Sequence, residues 1–175
     1  NDKRSLISAF NEAGYRDARI VKDTMYYVEP GRVQIDFDIE EGQQYYFRDI
    51  TWTGNSVYNS EALNSILKIN KGDVYDVVTM DKRLFGGGKQ TDGDVSKLYR
   101  DNGYLFFNLQ AVELNIEGDS ADVEMRVVEG KPATLNNIVI NGNDLTNERV
   151  IRRQIFTRPG YLFSQSDFER SIREI

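Results

Sequence analysis

Residues 40–55, EEGQQYYFRDITWTGN, and residues 128–143, VEGKPATLNNIVINGN, carry one pattern twice. Gly42 pairs with Gly130, Ile50 with Ile138, Gly54 with Gly142 and Asn55 with Asn143, each at an offset of 88. The offset holds outward on both sides. Upstream, Ile35, Phe37 and Ile39 pair with Val123, Met125 and Val127. Downstream, Leu63 and Leu67 pair with Ile151 and Ile155, and Gly72 and Tyr75 with Gly160 and Phe163. A second landmark, AGY at 13–15 and NGY at 102–104, is displaced by 89, which predicts one residue of difference in the hairpin that follows. Such a period is too long for a helical-hairpin solenoid and long enough for a small domain. The expected division is residues 1–43, the end of one unit; 44–130, a whole unit with a Gly-rich insertion in its second helix; and 131–175, the start of a third.

Within the whole unit, residues 46–54 are β-rich and close on a Gly-Asn turn signal, giving a first strand. Asn59 or Ser60 can cap a helix with the stripe Ala62, Leu63, Ile66 and Leu67, ended by Lys71-Gly72-Asp73. A second helix starts near Val78 to Met80, is interrupted by glycines and resumes at Asp94. Its stripe is Val95, Leu98 and Tyr99, with Gly103 at a left-handed C-terminal position. Two strands follow. From Phe107 to Ile116 the apolar phase changes between Ala111 and Val112, which predicts a bulge or twist. After the EGDS turn at 117–120, Ala121, Val123, Met125 and Val127 alternate with Asp122, Glu124 and Arg126, a half-buried strand.

The order β-α-α-β-β predicts an α+β fold, a three-stranded mixed sheet covered on one face by two helices. The first piece shows the second half of that order: a helix over 2–13, then strands 18–27 and 33–40 around Pro30-Gly31. The last piece shows the first half: a strand over 134–141, a helix from Thr146, and a Ser166-x-x-Glu169 capping box opening another. These halves are complementary, so two chains can build a composite unit, a strand-exchanged homodimer.

Composition narrows the chemistry. The 175 residues hold 28 acidic and 22 basic side chains, a net charge of −6, without the basic field that nucleic acid binding needs. Cysteine and histidine are absent, which removes disulfides, thiol catalysis, thiolate zinc sites and a Ser-His-Asp triad. No stretch approaches the length of a membrane-spanning helix and no signal peptide opens the sequence. It begins with Asn1, in mid-helix pattern, and reads as a piece of a longer protein.

The unit resembles the polypeptide-transport-associated (POTRA) domain family. The stretches that carry the resemblance are EEGQQYYFRDITWTGN, KGDVYD at 71–76, YRDNGYLFFNL at 99–109 and VVEGKPATLNNIVINGN at 127–143, in an order that spans essentially the whole chain. The resemblance implies tandem domains on the periplasmic face of the bacterial outer membrane, ahead of a C-terminal β-barrel outside this sequence. It implies binding of unfolded outer-membrane protein clients and of accessory lipoproteins, with no enzymatic activity and no cofactor. The whole unit is similar to the next-to-last domain before such a barrel. A related two-partner secretion or translocation pore, and a rigid spacer that binds no client, stay open as alternatives. The family's sheet order places the second strand at an open edge, the third in the middle and the first on the far side.

The stretch LFGGGKQTDGD at 84–94 is the competing signal, for a phosphate-binding loop. A Walker loop needs G-x-x-x-x-G-K-[ST] between a strand and a helix. Here Arg83 stands where the first glycine belongs, Gln90 follows Gly88-Lys89, and the preceding segment reads as helix. An insertion splitting the second helix fits better, and deleting Gly86 to Gly93 is expected to change local helix geometry without abolishing folding. Asp36, Asp38 and Glu40, like Asp122 and Glu124, alternate with apolar residues as on a solvated strand face rather than as catalytic acids. Phe106, Phe107 and Tyr45-Tyr46-Phe47 read as core or junction aromatics before client-docking ones.

One feature has a binding mechanism. An open edge strand offers unpaired N–H and C=O groups to an extended chain with little regard for its sequence. The candidate residues are Phe107, Asn108, Leu109, Gln110, Val112 and Leu114.

Overall fold

The computed structural model describes residues 2–86 and 94–175. Beyond Gly86, the expected insertion at 86–93 lies outside the described residues. The elements are α1 Asp2–Glu12, β1 Arg19–Glu29, β2 Arg32–Glu40, β3 Tyr46–Thr53, α2 Ser60–Leu67 and α3 Val77–Phe85. They continue with α4 Val95–Asp101, β4 Asn108–Glu117, β5 Ser120–Val128, α5 Glu148–Arg153 and α6 Gln165–Glu174. Contacts divide the chain into two compact units: Asn1–Thr51, Ile69–Asp81 and Val112–Glu124; and Trp52–Lys68, Lys82–Ala111 and Met125–Ile175.

Local chemistry sets the helix ends. Of the two candidate caps, Asn59 is the one used: its Oδ1 accepts from the Ala62 N–H at 2.9 Å. α2 stops at Leu67, earlier than the Lys71–Asp73 signal, because Lys68 turns left-handed at φ 50° and its N–H closes on the Asn64 carbonyl. Asp94 caps α4, accepting from the Lys97 N–H at 2.7 Å. The cap of α6 is Ser164, which accepts from the Asp167 N–H, and not the expected Ser166. Ser166 is held elsewhere: its N–H and its hydroxyl each donate to Asp101, both at 2.7 Å.

The sheet of the whole repeat has the order β3-β5-β4, and the first repeat contributes a two-stranded sheet β1-β2. Tyr46, at the start of β3, donates its N–H to the carbonyl of Asp119, just before β5. Gly54, just past the end of β3, lies against Val127, so close that a Cβ there would fall 2.1 Å from the Val127 oxygen. β3 and β5 therefore run parallel, while β4 and β5 form a tight hairpin, and the sheet is mixed.

β5 buries Ala121, Val123, Met125 and Val127 on one face, as its alternation predicts. In the first unit Phe47 packs on Tyr75, ring centres 4.8 Å apart, with Met80, Ala121 and Val123 also buried. In the second, α2 buries Leu63 and Leu67, and Tyr99 of α4 stacks on Phe107 at 4.1 Å and meets Tyr58 edge-on at 4.9 Å.

The sequence repeat recurs as geometry. The isolated bridge Tyr46↔Val74 reappears as Thr134↔Leu162, 88 residues on. The hydrogen bonds around it repeat at the same spacing. Phe47 N–H to Asp73 O becomes Leu135 to Tyr161, Gly72 to Phe47 becomes Gly160 to Leu135, and Tyr75 to Tyr45 becomes Phe163 to Ala133. The joint between successive repeats is also used twice. The carbonyl of Gly14 accepts from the Tyr45 N–H at 3.0 Å, and that of Gly103 from the Ala133 N–H at 2.7 Å. Both glycines have φ near +90° and press on the bridge residue of the next repeat. A Cβ would lie 2.6 Å from Val74 Cγ1 in one joint and 3.1 Å from Leu162 Cδ2 in the other.

The expected strand over 134–141 does not form; the backbone there makes only the single bridge at Thr134. The reason is visible in the whole repeat, where the first strand pairs with the third. Among the described residues no strand pairs with the apolar run Ile138-Val139-Ile140.

Candidate functional site

β3 and β4 are the two ends of one sheet, and the chain treats them differently. The outer edge of β3 is occupied at its start by residues 72–75, through the bridge at Val74 and the hydrogen bonds that flank it. β4 pairs with β5 on one side, and no strand among the described residues pairs with its other side.

The two-residue turn Gly118–Asp119, with Gly118 at φ +63°, sets Glu117 opposite Ser120 as a hydrogen-bonded pair. Alternation then turns the N–H and C=O of Glu113, Asn115 and Glu117 toward β5. Those of Val112, Leu114 and Ile116 face the open edge. Counted further from that turn, a regular ladder would set Leu109 across from Val128. Leu109 is 4% exposed and Val128 64%, so they lie on opposite faces. One extra residue in β4 reconciles them, the slip expected at Ala111–Val112, where both side chains are half-buried.

The six residues singled out from the sequence separate accordingly. Phe107 lies just before β4 and is buried against Tyr99, and Leu109 is buried in the core, so neither side chain is available at the edge. Asn108 and Gln110 are exposed, Val112 is half-buried and Leu114 is exposed. Past the slip, Gln110 turns its backbone inward, which moves the open stretch toward Val112–Ile116 and makes proline at Gln110 a poorer probe of the edge than proline at Leu114. Of the other aromatics, Tyr45 and Phe47 are buried and Phe106 is exposed.

Glu113 is the residue that sequence reasoning missed. Its carboxylate accepts from Arg16 Nη1 at 2.8 Å and from the Tyr75 hydroxyl at 3.0 Å. Burial first, then the Glu113 carboxylate, push the Tyr75 hydroxyl well above its ordinary range, so it stays a donor. Arg16 also lies 5.6 Å from the Tyr45 ring centre, and Tyr45 donates to Asp17 at 2.9 Å. The open strand is thus tied through Glu113 to the end of the preceding repeat. On β5, Asp122 is held below its ordinary value by the hydrogen-bonded Arg48 guanidinium, which also reaches Glu117.

The second anchored carboxylate is Glu129, 8% exposed, next to the inter-repeat Gly130. It accepts from the Ser56 hydroxyl, from the Val57 N–H at 2.9 Å and from the Tyr99 hydroxyl at 2.9 Å. Burial pushes its carboxyl up, but these donors together outweigh burial and hold it below the usual glutamate range. No group of three or more acidic side chains among the described residues is arranged to hold a metal ion.

Residues 45–130 match the POTRA family, described as surface antigen variable number repeat. The chain is 27% identical over 180 aligned residues to a protein of Treponema pallidum (strain Nichols) assigned as an outer membrane protein assembly factor, covering 99% of this chain and 20% of that protein. It is 25% identical over 165 residues to the outer membrane protein assembly factor BamA of Nitratidesulfovibrio vulgaris, covering 90% of this chain and 20% of that one. The chain therefore spans about a fifth of the length of these curated relatives. Among solved structures, the Haemophilus influenzae BamA POTRA3-5 crystal structure superposes with a TM-score of 0.72 at 18% identity, over 99% of this chain and 66% of that one.

Proposed function

We propose, from the match of residues 45–130 to the POTRA family, that this chain is part of the periplasmic region of a BamA-like outer membrane protein assembly factor. Its work there is non-covalent. It receives unfolded β-barrel clients by strand addition and holds accessory lipoproteins near the protein's own C-terminal barrel. The names of the relatives support the assembly setting. The observation that carries the binding mode is the contrast between the two sheet edges: β3 bonded at its start by residues 72–75, the outer side of β4 without a partner strand among the described residues.

Strand addition uses main-chain groups, so it suits a factor that meets many clients. The stretch Val112–Ile116 adds a preference. Leu114 and Ile116, both exposed, border the edge and favour a strand with apolar residues at alternate positions. The test is a photo-crosslinker placed at Leu114 or Ile116 of the chain, with β-strand peptides from an outer-membrane protein titrated in. Crosslinks at both positions are expected, those at Ile116 suppressed by Leu114→Pro. Crosslinks that survive the proline, or that arise equally at the β3 side, would overturn the reading.

The reading as a spacer that binds nothing draws on the twice-used glycine joint, which suits a fixed arrangement. It predicts no peptide affinity at all, and the same titration separates the two.

A further inference from the structure

The outward-facing stretch of β4, Val112–Ile116, is bracketed by two contacts with residues that precede the whole repeat. At one end the Glu113 carboxylate accepts from Arg16 Nη1 at 2.8 Å. At the other, the carbonyl of Gly118, in the turn after β4, accepts from the Gln43 side-chain amide at 2.7 Å. Arg16 lies between α1 and β1, and Gln43 lies in the link between β2 and β3. All of these residues fall in the first compact unit.

Both grips are themselves anchored. Arg16 sits over the Tyr45 ring, while the Tyr45 N–H donates to the Gly14 carbonyl and its hydroxyl to Asp17. Next to Gln43, the Gln44 side chain donates to the Ala13 carbonyl at 2.8 Å and accepts from the Tyr46 hydroxyl at 2.9 Å. On the β4 side, Glu113 also accepts from Tyr75, which is buried against Phe47.

The second joint shows that the repeat does not require this arrangement. Its backbone hydrogen bonds are the same, but Leu105 stands in place of Arg16, at the offset of 89, and Lys131-Pro132 in place of Gln43-Gln44, at 88. Leu105 has no side-chain donor and Pro132 no side-chain amide. The polar grip is thus an addition at the one joint that touches the candidate edge.

A strand just past a register slip is weakly specified on its own. Contacts at both ends of the open stretch hold it extended before a guest arrives, so less conformational freedom is lost on pairing. Resting on the reading of β4 as the receiving edge, we propose that Arg16 and Gln43 are positioning residues for strand addition. The closed joint presets Val112–Ile116, and a bound strand in turn holds the joint closed. The two effects are one coupling free energy, so each favours the other by the same factor.

The test titrates a β-strand peptide from an outer-membrane protein into the chain, into its Arg16→Ala and Gln43→Ala variants and into the double variant, and follows amide exchange in each. Arg16 is partly exposed and Gln43 exposed, so the substitutions spare the fold, checked by unchanged protection of the Glu113 and Asn115 N–H groups. Each single variant is expected to weaken peptide binding by about two- to fivefold and the double variant by about tenfold. Arg16→Lys, which keeps a donor for Glu113, should bind nearly as the wild type does. In the wild-type chain the Tyr45 N–H, which closes the joint on Gly14, should exchange several-fold more slowly with peptide bound, and the double variant should lose that slowing. Peptide bound at β4 with equal affinity in the double variant, and a Tyr45 N–H indifferent to it, would overturn this inference and leave the β4 reading standing. Tighter binding in the variants would overturn it too. A wild-type chain that takes no peptide at β4 would overturn both.

Discussion

β5 and β2 are the same strand of the repeat, 88 residues apart, and they live in different surroundings. Val123 and Met125 are 1% and 0% exposed; their counterpart Ile35 is 48% exposed and Phe37 only half-buried. Both strands alternate apolar and charged residues, so the pattern does not explain the difference. Among the described residues β5 sits between two strands, β3 and β4, whereas β2 pairs with β1 alone. Alternation therefore states which face a strand would bury, and completeness of the repeat decides whether it does. The joints behave oppositely. Their hydrogen bonds recur in both copies, because each joint needs only a helix end, the start of the next first strand and the bridge residue, and the chain holds all three twice.

The sharpest way to break the comparison is to truncate matched core residues. Leu63→Ala should cost about 2–5 kcal/mol in urea unfolding, while Ile151→Ala, in the half-buried counterpart, should cost about 1 kcal/mol or less. Equal losses would mean that the last piece has a core of its own.

Glu129 sharpens it next. Its counterpart Glu41 is exposed, whereas Glu129 is buried and accepts from Ser56, Val57 and Tyr99. Because the folded carboxyl is held below its ordinary value, its stabilising contribution is complete above the unfolded value and is lost as pH falls through the folded one. Glu129→Gln should lower stability at neutral pH by about 1–3 kcal/mol and flatten the acid limb of the stability profile. An unchanged acid limb would remove Glu129 from the account of the fold.

The joints should respond alike. Gly14→Ala and Gly103→Ala each place a Cβ at positive φ against the next repeat and should cost about 1–2 kcal/mol by thermal or urea unfolding. The smallest effect is expected at the Arg16–Glu113 pair. Arg16→Ala should change stability by less than about 1 kcal/mol, as a partly exposed ion pair does, and shift mainly the amide exchange of the joint.

Much of this was legible in the sequence. The repeat gave the element order, and the sheet order implied by the resemblance is the one observed. The residues that cap helices are also recognisable by type, except at α6: Ser166 satisfies the capping pattern, but Asp101, 65 positions away, claims its N–H and hydroxyl. The strand expected over 134–141 does not form for a related reason, since β-propensity describes a residue's fitness for a ladder and not the presence of a partner. At the candidate edge, the phase change at Ala111–Val112 was visible, but its consequence for which backbone groups face outward required the position of the turn. Glu113 was hidden altogether, because its partners Arg16 and Tyr75 lie 97 and 38 residues away.

What the molecule does turns on whether the β4 edge takes a strand. Amide hydrogen exchange of the chain, free and with a saturating β-strand peptide from an outer-membrane protein, tests this most directly. The N–H groups of Val112, Leu114 and Ile116 should exchange fast in the free chain and slow by at least about tenfold with peptide bound. Those of Glu113, Asn115 and Glu117, already paired with β5, should change little. Protection that appears elsewhere while Val112, Leu114 and Ile116 keep exchanging freely would contradict it.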